Sequence, residues 1–371
     1  MNKRILIFSI AYHPHVGGAE IAVKEITDRL PEFEFDMVTL KLGEKDKDEE
    51  KLGNVMVYRV GGSKTLFPIK ALLFARKLNK KRKFTHIWAI MANWAGLGAL
   101  FFKLFSPKTK YILTLQEGDS LEYIKKKVWF IYPLFKKIFL KADVIQTISH
   151  FLAKWARSFG YVGEVQVIPN GVDVEKFSIS NSQFSKGSDQ VILITTSRLV
   201  KKNGVGDVID ALKFLPENFK FKILGTGPRE NDFKLKIRNL KLEGRVEMLG
   251  FVDQDKIPAF LHQSDIFIRP SVSEGMGNSF VEAMAAGLPV IATPVGGITD
   301  FLFDPDRNKE HPPTGLFVNV SDPKDIARQV LRLTKDQKLR ETLINNGKRL
   351  VREKYNWDLI AKQMEDRVFK L

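Results

Sequence analysis

Short aliphatic runs recur along this chain, each followed by a turn and then by a longer segment of helical period, and no other feature constrains the fold as strongly. The runs fall at residues 4–9, 35–39, 55–59, 86–89, 110–115, 144–147 and 165–168, and again at 191–196, 219–224, 246–249, 266–270, 290–292 and 315–318. Strands that alternate with helices are joined by crossovers, and crossovers build parallel sheets covered on both faces. Between the two series lies the breaker-rich Ile168-Pro169-Asn170-Gly171-Val172-Asp173, and after Phe177 a polar stretch, 178–189, where we place the linker. A chain of 371 residues exceeds what one ordinary core organises. The expected architecture is therefore two α/β domains, residues 1–172 and 173–356. Residues 357–371 carry Leu359, Ile360, Met364, Val368 and Phe369 near one helical face and read as an amphipathic closing helix.

Composition excludes several classes. With 44% hydrophobic and 27% charged residues the chain is neither disordered nor fibrous. The longest nearly uncharged apolar run, 89–102, contains Asn93 and falls short of the about 20 residues that span a bilayer. The apolar start Ile5-Leu6-Ile7-Phe8-Ser9-Ile10 runs into Tyr12-His13-Pro14-His15 without a small-residue cleavage site, so it reads as a first buried strand. The absence of cysteine removes disulfides, thiolate metal sites and thiol nucleophiles, and fits the cytoplasm. The net charge is +16, and residues 51–141 hold nineteen Lys or Arg against Glu117, Asp119 and Glu122. Such a field attracts nucleic acid, anionic lipid or an anionic substrate.

The segment richest in chemistry runs from Ser273 through Glu274-Gly275-Met276-Gly277-Asn278-Ser279 to Glu282-Ala283-Met284-Ala285-Ala286-Gly287-Leu288-Pro289-Val290. It joins a strand, a glycine-rich loop, a helix and another strand. The glycines admit a ligand close to the backbone. A helix opening near Asn278 or Ser279 aims free N–H groups and a positive dipole end at an anion, which describes a diphosphate site. Glu282, about one turn into that helix, is placed to accept two hydrogen bonds from a vicinal diol such as ribose, and Glu274 stays on the loop. In isolation each glutamate would be an ordinary surface charge; the surrounding glycines favour the binding role.

These residues resemble the retaining GT-B glycosyltransferases of the family 4 type. The likeness rests on Glu-x7-Glu from Glu274 to Glu282 with its trailing sequence. It extends in order through Gly17-Gly18-Ala19-Glu20, Ile168 to Asp173, Ser197-Arg198-Leu199, Gly225-Thr226-Gly227-Pro228, Gly250-Phe251-Val252, Gly296-Gly297, Thr314 to Val318 and Tyr355-Asn356-Trp357, nearly the whole chain. The resemblance implies two Rossmann-like domains facing each other across a cleft, with the C-terminal helix packing back on the N-terminal, acceptor domain. It implies transfer of a sugar from a nucleotide-sugar donor to a glycan or lipid-linked acceptor with retention at the anomeric carbon. By the same resemblance Glu282 holds ribose, Glu274 binds the donor sugar, and Arg198 with Lys202 neutralises the diphosphate. Gly275, Met276, Gly277, Asn278, Ser279, Gly225, Phe251 and Val252 line the donor. Gly17 and Gly18 bring amides to the phosphates or the acceptor, or are an ordinary strand-to-helix turn; Gln116, Glu117 and His13 stand on the acceptor side.

The chain departs from the family at two places. Where the family writes Arg-Leu-x-x-x-Lys-Gly, Asn203 stands five residues after Arg198, leaving Lys202 as the nearest lysine before Gly204. Where many members carry His-Asp, this chain has Gln116-Glu117. A side-chain amide gains no charge at neutral pH, so no histidine acid or base is implied there. His13 and His15 lack a third ligand nearby, and the fold type works without a bound metal, so neither metal nor cofactor is expected. Pro228 and Glu230 break a dinucleotide fingerprint at Gly225-Thr226-Gly227, which disfavours a dehydrogenase.

The lysine belt at Tyr123 to Lys141 interleaves Lys125, Lys126, Lys127, Lys136 and Lys137 with large aromatics, and Phe101-Phe102-Lys103-Leu104-Phe105 does likewise. It reads either as buried helices with snorkelling lysines or as a surface for anionic lipid. The sum with Arg76, Lys77, Lys80, Lys81, Arg82 and Lys83 favours a peripheral protein at the inner, cytoplasmic membrane face over a nucleic-acid binder. The non-catalytic alternative is a basic lipid- or nucleic-acid-binding protein on a glycosyltransferase-like scaffold.

Overall fold

The computed structural model describes residues 3–178 and 190–371; of the polar stretch assigned to the linker, 179–189 lie outside the described residues. The chain forms two compact units, Met1–Gly171 with Trp357–Leu371, and Val172–Asn356.

The first unit is built on an eight-stranded sheet of order β3-β4-β2-β1-β5-β6-β7-β8. Its strands are β1 (Arg4–Phe8), β2 (Glu34–Leu40), β3 (Glu49–Leu52), β4 (Val55–Val60), β5 (His86–Ile90), β6 (Lys110–Leu115), β7 (Val144–Thr147) and β8 (Glu164–Val167). Every pairing is parallel except β3 with β4. The sequence Glu49-Glu50-Lys51-Leu52 has no aliphatic run, which is why β3 was not anticipated. It pairs as the outer arm of a hairpin turning at Gly53 (φ +58°) and Asn54, where charged side chains discourage further pairing. Glu50 on this strand also reaches the buried Arg59 guanidinium at 2.6 Å.

The central strands are buried on both faces, which their aliphatic composition requires. The closing segment completes this core. Helix Trp357–Met364 runs on into a wider turn, Glu365–Phe369, that carries Val368 and Phe369 fully inside. The Phe369 ring lies 5.1 Å from Trp88, 5.8 Å from Phe33 and 6.1 Å from Phe35, and Lys3 Nζ donates to the Phe369 carbonyl at 2.7 Å. The C-terminal helix therefore packs on the N-terminal domain.

The second unit carries a six-stranded parallel sheet of order β11-β10-β9-β12-β13-β14. Its strands are β9 (Val191–Thr196), β10 (Phe219–Leu224), β11 (Val246–Gly250), β12 (Ile266–Arg269), β13 (Val290–Ala292) and β14 (Leu316–Phe317). In each sheet the first strand in chain order is flanked by strands reached in opposite directions, β2 and β5 around β1, β10 and β12 around β9. The loops leaving the carboxyl ends of such neighbours diverge, and this topological switch point is where open parallel sheets hold ligands.

Replacing Phe369 by Ala removes a fully buried ring wedged among three aromatics. It should cost about 3–5 kcal/mol, read as a lower urea midpoint. An unchanged midpoint would mean that the closing segment contributes nothing to the core.

Candidate active site

The switch point of the second unit is organised by an arginine. Arg269 ends β12, an otherwise aliphatic strand, and is only 6% exposed. Its Nη2 donates to Glu274 Oε2 at 2.7 Å and its Nη1 to Ser279 Oγ at 2.7 Å, with a longer contact of 3.4 Å to the Thr196 carbonyl at the end of β9. The guanidinium carbon sits 4.3 Å from the centre of the Phe280 ring. One planar cation thus ties a strand end, the glycine loop and the start of the helix Asn278–Ala285, a fork geometry that lysine cannot supply.

Glu274 is held at both ends. Its Oε1 accepts from the Gly275 N–H at 3.1 Å, and its carbonyl accepts from the Gly297 N–H at 3.1 Å. Glycines make this closeness possible. A Cβ on Gly296 (φ +57°) would fall 1.8 Å from the Glu274 carbonyl oxygen, and one on Gly277 (φ +88°) would fall 2.5 Å from Arg269 Nη2. Met276 is buried, while Gly277, Asn278 and Ser279 are partly open at the helix start. Glu282, the fifth residue of the helix, is half-buried and accepts from Gln254 Nε2 at 3.0 Å. Burial pushes its carboxyl up, and the Gln254 hydrogen bond with the charges of Arg269 and Lys176 opposes the rise.

Arg198 and Lys202 lie on the loop leaving β9. The Arg198 side chain is exposed and Lys202 is partly exposed. Asn203, at the family's lysine position, is buried and donates from Nδ2 to the Arg198 carbonyl at 2.7 Å, so it staples the loop from within. Beside it the Lys202 carbonyl accepts from the Val272 N–H at 2.6 Å, joining this loop to the one that bears Glu274. Gly225 donates its N–H to the Gly250 carbonyl at 2.7 Å, and the following Phe251 is 70% exposed, with Val252 partly so.

In the first unit the corresponding loops carry the other candidates. The Gly17 N–H donates to Glu20 Oε2 at 2.7 Å, so that amide is occupied by the carboxylate of its own helix; Gly18 opens the helix and is exposed. The His13 carbonyl is held by Arg59 Nη2 at 2.6 Å, its ring packs edge-on against Tyr12, and burial together with the Lys24 charge pushes its pKa down. His15 turns instead to Asp46, with Nε2 3.0 Å from Oδ2. Among the described residues no group of three or more His, Cys, Asp or Glu is arranged to hold a metal ion. Gln116 Oε1 accepts from Asn170 Nδ2 at 2.9 Å. Glu117 Oε1 accepts from the Ala92 N–H, and its buried Oε2 has no hydrogen-bond partner among the described residues. Burial lifts this carboxyl to about 7, backbone hydrogen bonds from Ala92, Glu117 and Gln116 opposing it.

The lysine belt divides. Phe135, Ile138 and Phe139 of the helix Tyr132–Leu140 are buried, Phe139 stacking 4.5 Å from Phe159. On the preceding turns nothing is buried, and Tyr123, Trp129 and Phe130 are 53%, 75% and 62% exposed beside exposed Lys125, Lys126 and Lys127. Among the described residues no helix is long and apolar enough to cross a membrane.

Sequence reasoning missed Arg269, Gln254 and Asn170. A signal existed for the first, since a charge at the end of Ile266-Phe267-Ile268 must find a buried partner, and for Asn170, which stands inside the Ile168 to Asp173 motif; none existed for Gln254.

Two parallel-sheet units, with glycine loops at the carboxyl ends of their strands, define a GT-B glycosyltransferase fold. Residues 177–350 match the family described as glycosyl transferases group 1, and residues 16–176 the family described as glycosyltransferase family 4. An uncharacterized glycosyltransferase of Methanocaldococcus jannaschii is 30% identical over 363 residues, covering 96% of this chain and 95% of the relative. The capsular polysaccharide biosynthesis glycosyltransferase CapM of Staphylococcus aureus is 27% identical over 289 residues, 73% of each chain. Sucrose-phosphate synthase from Thermosynechococcus elongatus has a similar structure, with a TM-score of 0.85 at 20% identity over 99% of this chain and 98% of that one. HepE of Anabaena, in complex with UDP and glucose, has a TM-score of 0.81 at 20% identity over 100% of both chains. The chain belongs to the group 1, family 4 glycosyltransferases.

Glu117 supplies a pH test. Its pKa is higher folded, about 7, than its usual 4.5, so its contribution to stability is present below pH 4.5 and is lost as pH rises through 7. Glu117→Gln should therefore stabilise the protein by up to about 3 kcal/mol above pH 7 and by nothing below pH 4.5. Urea unfolding at pH 8 and pH 4.5 checks this; equal shifts at both would mean that the carboxyl is not perturbed.

Proposed function

We propose that this protein is a retaining glycosyltransferase that takes a nucleotide-sugar donor in its second unit and builds a lipid-linked or cell-surface glycan. The observation that carries the reading is the pair Glu274 and Glu282 on a glycine loop and helix start anchored at the switch point, with exposed Arg198 alongside. The likeness to HepE, whose structure holds UDP, supports a nucleoside diphosphate donor, and the relation to CapM supports glycan assembly.

In this reading Glu282 takes the ribose hydroxyls in place of the Gln254 amide, and Glu274 takes hydroxyls of the donor sugar. Phe251 and Val252, next to Gly225, line the nucleoside. The diphosphate rests on Arg198, Lys202 and the backbone of Gly275, Met276, Gly277, Asn278 and Ser279. As the anomeric C–O bond to phosphate breaks, negative charge grows on the leaving diphosphate, and fixed cations and amides stabilise it more than the ground state. The acceptor oxygen bonds to the same face of the anomeric carbon while its proton passes to a leaving phosphate oxygen, so configuration is retained without a metal or a histidine base. Gln116, Glu117 and His13 would orient the acceptor, together with the exposed start of the helix at Gly18; the Gly17 amide joins them only if Glu20 gives it up.

A screen of UDP-, GDP- and ADP-sugars for release of nucleoside diphosphate tests the activity, with proton NMR of the product anomeric centre. Transfer with retained configuration is expected; an inverted product, or no turnover with any donor, overturns the reading. Arg198→Ala should lower kcat by roughly two orders of magnitude, about 3 kcal/mol, with no change in folding, because the side chain is exposed. Glu274 is better tested as Gln than as Ala, since Gln keeps an acceptor oxygen for Arg269 Nη2 and truncation leaves that buried donor with none.

We also propose that the exposed lysines and aromatics at 123–130 hold the enzyme on the cytoplasmic face of an anionic membrane. Each basic residue near such a surface contributes about 1 kcal/mol. Changing Lys125, Lys126, Lys127 and Lys137 to Ser should reduce sedimentation with phosphatidylglycerol vesicles and spare transfer to a soluble acceptor. Sedimentation equal to the parent's would remove the membrane role.

A further inference from the structure

The family motif assigns no work to Arg269, yet apart from a longer contact of 3.4 Å to the Thr196 carbonyl its side chain ends on residues of the loop and helix start that bear the donor glutamates. Its two terminal nitrogens divide between Glu274 Oε2 and Ser279 Oγ, both at 2.7 Å, and Phe280 closes over its face. Its own N–H groups leave Glu274 with a carboxylate fixed in direction, because Gly275 fixes the other oxygen and Gly297 fixes the backbone. A buried ion pair of this kind adds little to stability compared with apolar residues of the same volume; what it supplies here is orientation.

We infer that Arg269 is the positioning residue of the donor site: it aims the Glu274 carboxylate and pins the helix start at Ser279, acting on the transferred sugar through Glu274 and not by touching it. The inference rests on the donor-site reading above. Its chemistry is specific. Lysine at this position keeps the charge but offers one rotatable ammonium in place of a planar fork, so it cannot hold Glu274 and Ser279 in the fixed directions that two separate terminal nitrogens impose. The Arg198 and Glu282 side chains make no hydrogen bond to the fork, whereas the amides at the helix start are pinned by it through Ser279. Loss of Arg269 should therefore lower transfer more than it lowers nucleotide binding.

Arg269→Lys, Arg269→Ala and the paired Arg269→Met/Glu274→Gln variant, in which no buried charge is left alone, should be compared with the parent. The readouts are kcat and KM for transfer, UDP, GDP and ADP affinity by calorimetry, and amide hydrogen exchange. For Arg269→Lys we expect kcat at least tenfold lower, nucleotide affinity lowered by a smaller factor than kcat, and faster exchange at 274–279 but not at 17–21. Guanidinium at millimolar concentration should restore part of the kcat of Arg269→Ala and none of that of the paired variant. In the Glu274→Gln background, adding Arg269→Lys should cost little more, because the residue being aimed has already been changed. Parent-like kcat in Arg269→Lys with only a lower melting temperature would make Arg269 a structural ion pair and overturn the inference. If Arg269→Ala does not fold, the lysine and paired variants decide alone. If the parent neither transfers sugar nor binds nucleotide, the functional reading fails, and unaltered exchange at 274–279 in Arg269→Lys would then overturn the positioning claim separately.

Discussion

The Arg269–Glu274 ion pair is the contact around which the second unit's site is arranged. A guanidinium can be taken out of water only where its donors find acceptors and its face finds an aromatic surface. Glu274 and Ser279 take the two terminal nitrogens and Phe280 covers the face, all drawn from the loop and helix that follow β12, while the buried Nε has no hydrogen-bond partner among the described residues. The glycines are consequences of that closeness. Gly277 must have no side chain because the guanidinium lies where its Cβ would be, and Gly296 must have none because the Glu274 carbonyl does. A motif that reads in sequence as one carboxylate on a glycine-rich loop and another a turn into the following helix is in space a frame held by a buried cation.

That difference shows what the sequence could and could not reveal. Strands of a parallel sheet are aliphatic because both faces are covered, so β1, β6 and β9 are plain in the residues themselves, and β10 shows instead by the alternation Phe219-Lys220-Phe221-Lys222. β3 is not, because an edge strand is held by its partner's backbone and by a hairpin turn, with no apolar pattern of its own. In the same way Phe135 and Phe139 look like Trp129 and Phe130 in a string of lysines and aromatics. Only packing against Trp155 and Phe159 puts the first pair inside and leaves the second outside.

The polar partners were the least legible part. Asn203 reads as a lost lysine, but its amide reaches the Arg198 carbonyl, so the substitution trades a charge for an internal staple and leaves exposed Arg198 and Lys201 and partly exposed Lys202 as the basic side chains of that loop. Gly17 reads as a free amide at a helix start, but Glu20, three residues on, already accepts from it. In both cases a short-range hydrogen bond, invisible to spacing rules, decides which groups remain available to a ligand.

In the proposed function the loop and helix from Glu274 to Glu282 hold the nucleotide end of a sugar donor. A crystal structure of the protein grown with UDP tests this most directly. The ribose hydroxyls are expected within hydrogen-bond distance of the Glu282 carboxylate, and the diphosphate against Arg198 and the amides at the start of the helix Asn278–Ala285. A nucleotide bound with its ribose away from Glu282, or bound in the first unit alone, would contradict it.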